Sequence, residues 1–320
     1  MNIAIAELPN AETDPSVVYD VDIPVSETWR AKSGASLPGE TIRLRFVGNP
    51  RGRKILVLGG ISAGREICGA NGWWQELAGQ SCALDTDECL IIGLDYPPLH
   101  ADTPIDLDTE DFARLVHQAL RGAGINRVDG IIGMSFGGMI GLAFARLYPE
   151  TVGRLALLCA AHRPSPMASA WRLIQKQILE LARDAGDPER GVAIARQLAI
   201  TTYRAPEEFD ARFGEHSGES LISYLGHHGS KYARAMPSGR YQTLSGAINA
   251  HDEAPEEIAV PTLVIAADTD RLVPPAICEE LTRRLPQCLG YEIIRSVYGH
   301  DAFLKETEIL DPIVRSFVAA

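Results

Sequence analysis

Short, continuously apolar segments alternate with segments of helical periodicity along most of this 320-residue chain. The apolar segments are residues 55–58, 90–94, 128–134 and 155–159. Segment 108–123 instead repeats its apolar residues at helical spacing behind Asp108, a residue type that caps helices. Strands that are apolar on both faces and alternate with helices are typical of a parallel sheet covered on both sides.

The same alternation returns near the C-terminus after a long interruption. Strands are predicted at 262–266 and 291–294, with a helix at 275–285 between them. A single closing helix is predicted at 302–318. These late elements extend the same sheet and its covering helices.

The interruption covers residues 164–254, where the strand signal vanishes and apolar residues repeat only at helical spacing. We therefore expect a core domain, formed by residues 1–163 and 255–320, with residues 164–254 inserted as a helical lid. Alternating polarity at 42–46 predicts an early half-exposed strand. Acidic residues and prolines in 1–20 predict a loosely ordered N-terminal arm.

Composition argues against several classes of protein. A net charge of −12 repels polyanions, so nucleic acid is not expected as a partner. The six cysteines show no C-x-x-C spacing, which argues against a metal site, and the lack of a disulfide framework favours a reducing compartment. No apolar run reaches the roughly 20 residues that span a bilayer, and the N-terminus lacks the pattern of a secretory signal. We expect a cytoplasmic protein without a metal or a membrane segment.

Ser135 lies in the glycine-flanked segment 133–137, between an apolar strand and a small-residue helix. Such a turn pushes a nucleophile clear of the sheet, and the helix N-terminus favours developing negative charge. A glycine-rich turn with a spectator serine would have the same local sequence. The flanking strand and helix favour a nucleophile. Together with the alternating pattern they predict an α/β-hydrolase fold, a mostly parallel sheet flanked by helices with a helical lid insertion.

A base and an orienting acid follow in the chain order of that fold, which is Ser, then Asp or Glu, then His. Asp268 and Asp270 follow the first of the late strands, and His300 follows the last strand. Because these strand ends lie on the side where Ser135 emerges, the side chains can converge. We predict His300 as the base and Asp270 as the orienting acid, because of its spacing to the following proline, with Asp268 as the alternative.

Two backbone N–H groups are expected to form the oxyanion hole. One belongs to Phe136, the residue after the nucleophile. The second comes from the turn after the first core strand, at Gly60 or Ile61. A tight turn alone would also explain the glycines at this position, and the two interpretations are compatible.

The chain, from about residue 37 to the C-terminus, resembles the homoserine O-acyltransferases of methionine biosynthesis. The segments that carry the resemblance are 72–74, 84–87, 135–139, 200–204, 208–213, 223–225, 270–275 and 299–304. The Tyr203-Arg204 pair and the Gly-His-Asp-Ala-Phe-Leu segment 299–304 matter most, because general hydrolases lack them.

The resemblance implies that Ser135 takes an acyl group from acyl-CoA and passes it to the hydroxyl of L-homoserine in a two-step, ping-pong reaction. Family enzymes bind the amino acid with an arginine in the insertion and an aspartate beside the catalytic histidine, which match Arg204 and Asp301. A fork of donors suits a carboxylate, and an anion suits an ammonium group. Without the resemblance, these two residues would be interpreted as a surface arginine and a helix cap. The family further implies a homodimer, and acyl-CoA is a substrate rather than a cofactor.

Weaker sequence features indicate which acyl group is transferred. The turn 59–65 departs from the threonine-glycine-aspartate type frequent in the family and resembles sequences associated with succinyl transfer. Arg65 could meet a distal carboxylate there, or point to solvent, and we favour succinyl-CoA over acetyl-CoA. The alternatives are an L-serine O-acyltransferase, whose acceptor is one methylene shorter, a carboxylesterase, and a non-catalytic binding relative.

Overall fold

The computed structural model describes residues 17–214 and 218–320. The strands are β1 (Val17–Pro24), β2 (Thr41–Gly48), β3 (Arg53–Leu58), β4 (Ala78–Gly79), β5 (Leu84–Asp85), β6 (Cys89–Leu94), β7 (Gly130–Met134), β8 (Leu155–Leu158), β9 (Thr262–Ala267) and β10 (Cys288–Ile294). The helices are α1 (Thr109–Gly122), α2 (Phe136–Leu147), α3 (Pro166–Asp184), α4 (Pro188–Tyr203), α5 (Pro206–Phe213), α6 (Gly218–Ala233), α7 (Ser238–Ala250), α8 (Pro275–Arg284), α9 (Ala302–Lys305) and α10 (Thr307–Ala319).

Eight of these strands form one sheet in the order β1-β2-β6-β3-β7-β8-β9-β10. The pairings from β6 through β10 are parallel, whereas β1 and β2 form an antiparallel edge. The short strands β4 and β5 pair with each other outside this sheet. The predicted mostly parallel sheet flanked by helices is confirmed.

Strand β3 shows why the central segments are apolar throughout. Leu56 and Leu58 pack in one buried layer, and Ile55 and Val57 pack in the other. Successive side chains of a strand point to opposite faces, so a strand covered on both sides needs an apolar residue at every position. The sheet therefore sits between two hydrophobic layers.

Helix α1 begins where its sequence predicts. Asp108 accepts a hydrogen bond from the backbone N–H of Asp111, and the Asp111 side chain accepts one from the backbone N–H of Asp108. This reciprocal capping satisfies donors that the first turn of a helix would otherwise leave open. The cap fixes the start of a helix that packs against α2.

Helices α3 to α7 lie between β8 and β9, and a short 3₁₀ helix at Pro255–Glu257 follows them. Helix α4 packs against α3, α6 and α7, so these four helices form one layer. Their arrangement follows the helical periodicity of the sequence in this region. The division into a core domain and a lid, with its boundaries at 164–254, stays a prediction.

The N-terminal region differs in part from expectation. Residues 1–16 lie outside the described residues, but β1 begins at Val17, inside the segment predicted to be a loosely ordered arm. It pairs with β2 along its whole length, and the Tyr19 ring stacks on Phe46 at 4.8 Å. The strand is half-exposed, so its acidic residues, which suggested disorder, alternate with the residues that pack.

The closing helix also differs from the prediction of a single helix at 302–318, because the structure divides it into α9 and α10. Glu306 leaves the helical conformation between them, with φ −93° and ψ 50°. One turn earlier, the carbonyl of Phe303 accepts a hydrogen bond of 2.9 Å from the Trp74 indole N–H. A tertiary donor thus takes a carbonyl that a continuous helix would use itself.

Candidate active site

Ser135 lies between β7 and α2 with φ 51° and ψ −119°, a left-handed conformation that is strained for a residue with a side chain. The turn around it is tight. A Cβ atom on Gly133 would lie 2.6 Å from the Cα of Gly138, and one on Gly137 would lie 2.1 Å from the carbonyl oxygen of Leu58. The glycines therefore allow the approach of strand and helix that holds Ser135 at the carboxyl edge of the sheet.

His300 lies between this serine and an acid. Its Nε2 is 2.7 Å from Ser135 Oγ, and its Nδ1 is 2.7 Å from Asp270 Oδ2. Because an ionised carboxylate only accepts hydrogen bonds, Nδ1 carries the proton and donates a hydrogen bond to Asp270. Nε2 is then free to accept the hydroxyl proton of Ser135, which is the arrangement of a nucleophile with its general base.

Asp270 is held firmly in this position. Its side chain is fully buried, and its other oxygen accepts from two backbone N–H groups of the following loop, at 2.8 and 3.0 Å. Asp268, the alternative acid, accepts instead from the backbone N–H of Ser296 at 3.0 Å. Of the two candidates, the structure brings Asp270 to His300 and places Asp268 against a loop.

The pKa of His300 reflects two opposed effects. Burial disfavours the charged imidazolium and lowers this pKa, but the charge and the hydrogen bond of Asp270 raise it, and the neighbouring Asp301 adds to the rise. The carboxylates outweigh burial, so the pKa of His300 lies above its ordinary value of 6.5. The site therefore favours the imidazolium that forms when His300 takes a proton.

The residues predicted for the oxyanion hole lie around the nucleophile. Phe136 is the first residue of α2, where backbone N–H groups have no partner within the helix. A Cβ atom on Gly60 would lie 3.9 Å from the Cβ of Ser135, so the turn after β3 faces the serine directly. Gly60 and Ile61 both line the cavity described next. Which N–H groups receive an oxyanion stays a prediction.

A cavity of about 190 Å³ opens beside the nucleophile. Ser135 and His300 contribute to one part of its lining, and helices α3, α4 and α7 contribute to another. Its surface is mostly apolar with a few polar groups, as is common in small-molecule sites. The cavity therefore lies between the nucleophile and the helical layer.

The two residues predicted to bind the amino acid form an ion pair. Arg204 Nε is 2.6 Å from Asp301 Oδ2, and Arg204 Nη1 is 3.2 Å from Glu208 Oε1. The guanidinium also lies over the Tyr298 ring, 5.5 Å from its centroid. Asp301 lines the cavity, whereas Arg204 is not among the described residues that line it. The structure thus brings the pair together next to His300.

The loop of the base touches the helical layer through Gly299. This residue has φ 56°, and a Cβ atom on it would lie only 2.5 Å from the carbonyl oxygen of Tyr203. Any side chain would therefore be both strained and obstructed here. The contact joins the residue before His300 to the end of α4, directly before Arg204.

Arg65 is placed elsewhere than the prediction required. It forms a close ion pair with Asp95 and lies 3.5 Å from Asp20 Oδ2. Its backbone N–H also donates to Asp95 at 2.8 Å. Arg65 is not among the described residues that line the cavity, so the structure does not bring it to the acyl group.

Two other arginines line the cavity and were not predicted. Arg172 lies on α3 and Arg196 on α4. Charged residues on a helix are usually solvated, so their residue type alone does not predict a place in the cavity. One signal was available, since Arg172 falls at helical spacing between the buried residues Ala168 and Gln175.

Other predicted features concern the whole chain. Over residues 17–214 and 218–320, no three His, Cys, Asp or Glu side chains are grouped as metal ligands would be. The helices in this part of the chain include none with the length and hydropathy needed to cross a bilayer. All six cysteines are free thiols, and three of them are buried.

Comparison with known proteins agrees with this architecture. Residues 55–307 match the family model of the α/β hydrolase fold. Two solved structures are similar at 18% sequence identity, which is evidence for the fold alone. One is homoserine O-acetyltransferase from Bacillus anthracis, with a TM-score of 0.84 over 95% of this chain and 98% of that one. The other is esterase E22, with a TM-score of 0.83 over 94% of this chain and 100% of that one.

Sequence similarity is more specific. The chain is 36% identical over 289 residues to homoserine O-succinyltransferase from Xanthomonas campestris pv. campestris, covering 85% of this chain and 78% of that protein. An identity of this size over most of both chains exceeds what a shared fold alone gives. The chain belongs to the homoserine O-acyltransferase family of the α/β hydrolases.

Proposed function

We propose that this enzyme transfers a short acyl group from acyl-CoA to the hydroxyl of L-homoserine. The observation that carries the proposal is the hydrogen-bonded array of Ser135, His300 and Asp270, placed in a cavity that Asp301 also lines. The array supplies a nucleophile and a base, and the Asp301–Arg204 pair supplies complementary charges for an amino acid. The name of the Xanthomonas relative supports homoserine as the acceptor.

In the first half-reaction, His300 Nε2 takes the proton of Ser135 as the oxygen attacks the thioester carbonyl. The backbone N–H groups of Phe136 and Gly60 stabilise the oxyanion. His300 then gives the proton to the sulfur as the carbon–sulfur bond breaks, and CoA leaves as a thiol. The acyl group remains as an ester on Ser135.

In the second half-reaction, Asp301 holds the ammonium of homoserine and Arg204 holds its carboxylate. Binding thereby replaces the Arg204–Asp301 ion pair with two ion pairs, one from each residue to the zwitterion. His300 takes the proton of the homoserine hydroxyl while its oxygen attacks the ester, and then returns a proton to Ser135. The helical layer limits access of water, which competes for the same ester.

We favour a succinyl donor over an acetyl donor. The turn 59–65 resembles sequences of succinyl transfer, and the Xanthomonas relative is named a succinyltransferase. L-Serine is the alternative acceptor, since one methylene changes binding by only about 1–3 kcal/mol in a pocket. A carboxylesterase is the alternative reaction, with water in place of the amino acid.

The test measures CoA release from succinyl-CoA and from acetyl-CoA, each with homoserine, with serine or with water alone. We expect release with homoserine to be many-fold faster than with serine or water. Ser135→Ala should lower kcat by about 10⁴-fold or more, because the nucleophile is lost. Ser316→Ala, at an exposed position on α10, is the matched control and should leave the rate unchanged.

Three outcomes would contradict the proposal. Equal release with water alone would identify a hydrolase, and faster release with serine would identify the shorter acceptor. Arg204→Ala with an unchanged KM for homoserine would remove that residue from the acceptor site. Mass spectrometry of the enzyme with donor alone should find the acyl ester on Ser135.

A further inference from the structure

Tyr96 lies just beyond the end of β6, at the carboxyl edge of the sheet, and has no part in the mechanism described above. Strand β6 ends at Leu94, β3 ends at Leu58 and β7 ends at Met134. These three strands are parallel neighbours, in the order β6-β3-β7. Because parallel strands place their carboxyl ends at one edge, Tyr96 emerges next to the turn after β3, which itself lies next to Ser135.

The side chain of Tyr96 is held in a fixed position at that turn. Its hydroxyl donates to the carbonyl oxygen of Gly59 at 2.9 Å. Its own backbone carbonyl accepts a hydrogen bond of 3.2 Å from Arg240 Nη2, on α7. The residue is only 1% exposed, and burial raises the pKa of its phenol. The hydroxyl therefore keeps its proton and remains a donor to Gly59.

The carbonyl of Gly59 and the N–H of Gly60 belong to one peptide group, which is trans. A trans peptide is planar, and its C=O and N–H point in opposite directions. A hydrogen bond that fixes the direction of the carbonyl therefore also fixes the direction of the N–H. Gly60 faces Ser135, and its N–H is one of the two donors predicted for the oxyanion hole.

Local contacts in the turn do not provide this restraint. The N–H of Ala63 donates to the carbonyl of Gly60 at 2.9 Å, which orients the next peptide, between Gly60 and Ile61. The peptide before it joins two glycines and has no Cβ on either side to limit its rotation. In the part of the chain that the structure describes, the Gly60 N–H donates to no backbone carbonyl. The hydroxyl of Tyr96 is thus the contact that sets the plane of this peptide.

The ring of Tyr96 contacts the residue of the other predicted donor. It packs edge to face on Phe136, with ring centroids 5.2 Å apart, and on Phe112 at 6.1 Å. Phe112 and Phe136 also pack on each other at 5.2 Å, so the three rings form a closed cluster. Phe136 is the first residue of α2 and follows the nucleophile. One side chain therefore holds both halves of the predicted oxyanion hole.

We propose that Tyr96 is a positioning residue for the oxyanion hole, whose hydroxyl orients the Gly59–Gly60 peptide so that the Gly60 N–H points at the oxygen that becomes negative. As Ser135 Oγ bonds to the acyl carbon, the π electrons of the carbonyl move to its oxygen and the serine proton moves to His300. A donor already aimed at that oxygen needs no reorganisation in the transition state.

Tyr96 acts through Gly60 and not on the substrate, since it is not among the described residues that line the cavity. The inference rests on the first step of the proposed function, the acylation of Ser135. It does not depend on which acceptor takes the acyl group afterwards.

The test begins with Tyr96→Phe, which removes the hydroxyl alone. Single-turnover acylation is followed without homoserine, as release of CoA from succinyl-CoA and of 4-nitrophenolate from 4-nitrophenyl acetate. The maximal rate should fall at least about tenfold with both acyl donors, because the Gly60 N–H remains but is no longer held in place. The concentration of acyl donor that gives half the maximal rate should change by less than about twofold, because the loss falls on the transition state.

Tyr291→Phe is the matched control. The Tyr291 hydroxyl also donates to a backbone carbonyl at 2.9 Å, that of Pro275, and the residue lies on the edge strand β10. Both variants lose a hydrogen bond of the same kind, but only Tyr96→Phe should slow acylation. Equal falls in the two variants would overturn the proposal. So would an unchanged rate in Tyr96→Phe, or a change confined to the half-saturating concentration.

A tetrahedral inhibitor measures the oxyanion hole directly. Ser135 Oγ adds to the carbonyl carbon of a trifluoromethyl ketone, which leaves the carbonyl oxygen negative and the serine proton on His300. Tyr96→Phe should weaken the affinity for this inhibitor by about the same factor as it slows acylation. An unchanged affinity beside a slower acylation would overturn the positioning role.

Two replacements of equal volume cover the case in which Tyr96→Phe does not fold. At position 96, 4-methylphenylalanine fills the place of the hydroxyl without a donor, whereas 4-aminophenylalanine keeps an N–H donor for the Gly59 carbonyl. The first should acylate as slowly as Tyr96→Phe is expected to, and the second should come within about threefold of wild type. Equal rates in the two would overturn the proposal.

Failure of this inference is distinct from failure of the proposed function. If release of CoA does not depend on homoserine while Tyr96→Phe acylates slowly, the transferase is wrong and the positioning role stands. If transfer to homoserine is confirmed while Tyr96→Phe acylates at the wild-type rate, only the positioning role is wrong.

Discussion

At the scale of single residues, His300 shows how its neighbours set the strength of a base. Burial opposes the charged imidazolium, but Asp270 and Asp301 more than compensate, and the pKa of His300 is raised. A higher pKa makes the neutral ring a better proton acceptor. It also means that the neutral ring is lost earlier as the pH falls.

We predict an acidic limb in the rate of Ser135 acylation with its midpoint above pH 6.5, the ordinary pKa of histidine. Asp301→Asn should move this midpoint to lower pH, because it removes a negative charge that favours the imidazolium. The measurement is the single-turnover release of CoA without homoserine, followed over pH. Omitting the acceptor separates the effect on His300 from the proposed role of Asp301 in binding it.

Glu308→Gln removes a carboxylate from an exposed position farther along the same segment and should leave the midpoint where it is. If Asp301→Asn raises the midpoint, or leaves it unchanged, the electrostatic account of His300 is wrong. Loss of homoserine binding alone would not move this limb. The control and the variant together therefore separate local charge from net charge.

Much of the site could be predicted from the sequence because the ends of apolar strands could be predicted. Ser135, Asp270 and His300 each follow an apolar strand, and parallel strands place their carboxyl ends on one edge. The choice between Asp268 and Asp270 depended on loop geometry that spacing only suggests. The ion pair of Arg65 with Asp95 was not predicted, because a charged residue beside a motif carries no sign of its own partner.

At the scale of elements, the strand–turn–helix around Ser135 depends on the absence of side chains. We predict that Gly137→Ala lowers the free energy of unfolding by about 3 kcal/mol, because its Cβ would lie 2.1 Å from the carbonyl oxygen of Leu58. Backbone cannot rotate away from such a clash as a flexible side chain can. Urea unfolding, followed by circular dichroism, measures the change.

The matched control is Gly246→Ala on α7, where a new Cβ would meet nothing within 4 Å. This change should raise the free energy of unfolding by about 0.5–1 kcal/mol, because alanine is the better helix former. Similar destabilisation by both substitutions would mean that general helix effects, rather than the close approach at the turn, determine the result.

Element boundaries were predictable where local chemistry decides them. Asp108 predicted the start of α1 because aspartate is a residue type that caps helices, and the structure adds a capping box with Asp111. The division between α9 and α10 was not predictable in the same way, since it accompanies a hydrogen bond from Trp74 to Phe303, 229 positions away in sequence. Strand β1 was missed because an edge strand needs apolar residues only at alternate positions.

At the scale of the whole molecule, a buried histidine connects the helices to the end of a strand. His251 Nε2 donates to the carbonyl of Ala161 at 3.1 Å, and its Nδ1 accepts from the Thr109 hydroxyl at 2.8 Å. Burial is the main reason that the pKa of His251 falls to about 3. The folded chain therefore keeps this ring neutral at pH values where the unfolded chain protonates it.

We predict that this residue makes the fold acid-sensitive. Between pH 6.5 and about 3 the unfolded chain binds a proton that the folded chain does not, so the free energy of unfolding falls with falling pH. The contribution lost between pH 7 and pH 5 is about 2 kcal/mol. Urea unfolding of wild type and His251→Asn at both values measures it, as a smaller pH dependence in the variant.

The raised pKa of His300 changes the free energy of unfolding with pH in the opposite direction. The measured quantity is therefore the difference between wild type and His251→Asn, because both proteins contain His300. His227→Gln replaces an exposed histidine on α6 and should keep the wild-type pH dependence. An unchanged dependence in His251→Asn would show that other groups determine the acid sensitivity.

The fold class and the family were both predictable. The hydrophobic pattern predicts a sheet covered by helices on both sides, and the sequence motifs indicate the family. The place of Arg172 and Arg196 in the cavity was not predictable, because it depends on how the helices pack. Among the residues that the structure describes, none accepts a hydrogen bond from Arg172 Nη2, and this depends on how α3 and α7 pack. A sequence records the donor but not whether the packed helices leave it unpartnered.

The contact at Gly299 has a consequence for how enzymes of this kind change over time. Its Cα meets the backbone at the end of α4 so closely that the loop of the base and the helix leading to Arg204 behave as interlocked parts. A substitution that shifts the end of α4 should therefore displace the loop of His300 as well. Under the proposed function, acceptor choice and catalysis share this one constraint, so new acceptors should arise through residues that line the cavity rather than through movement of α4.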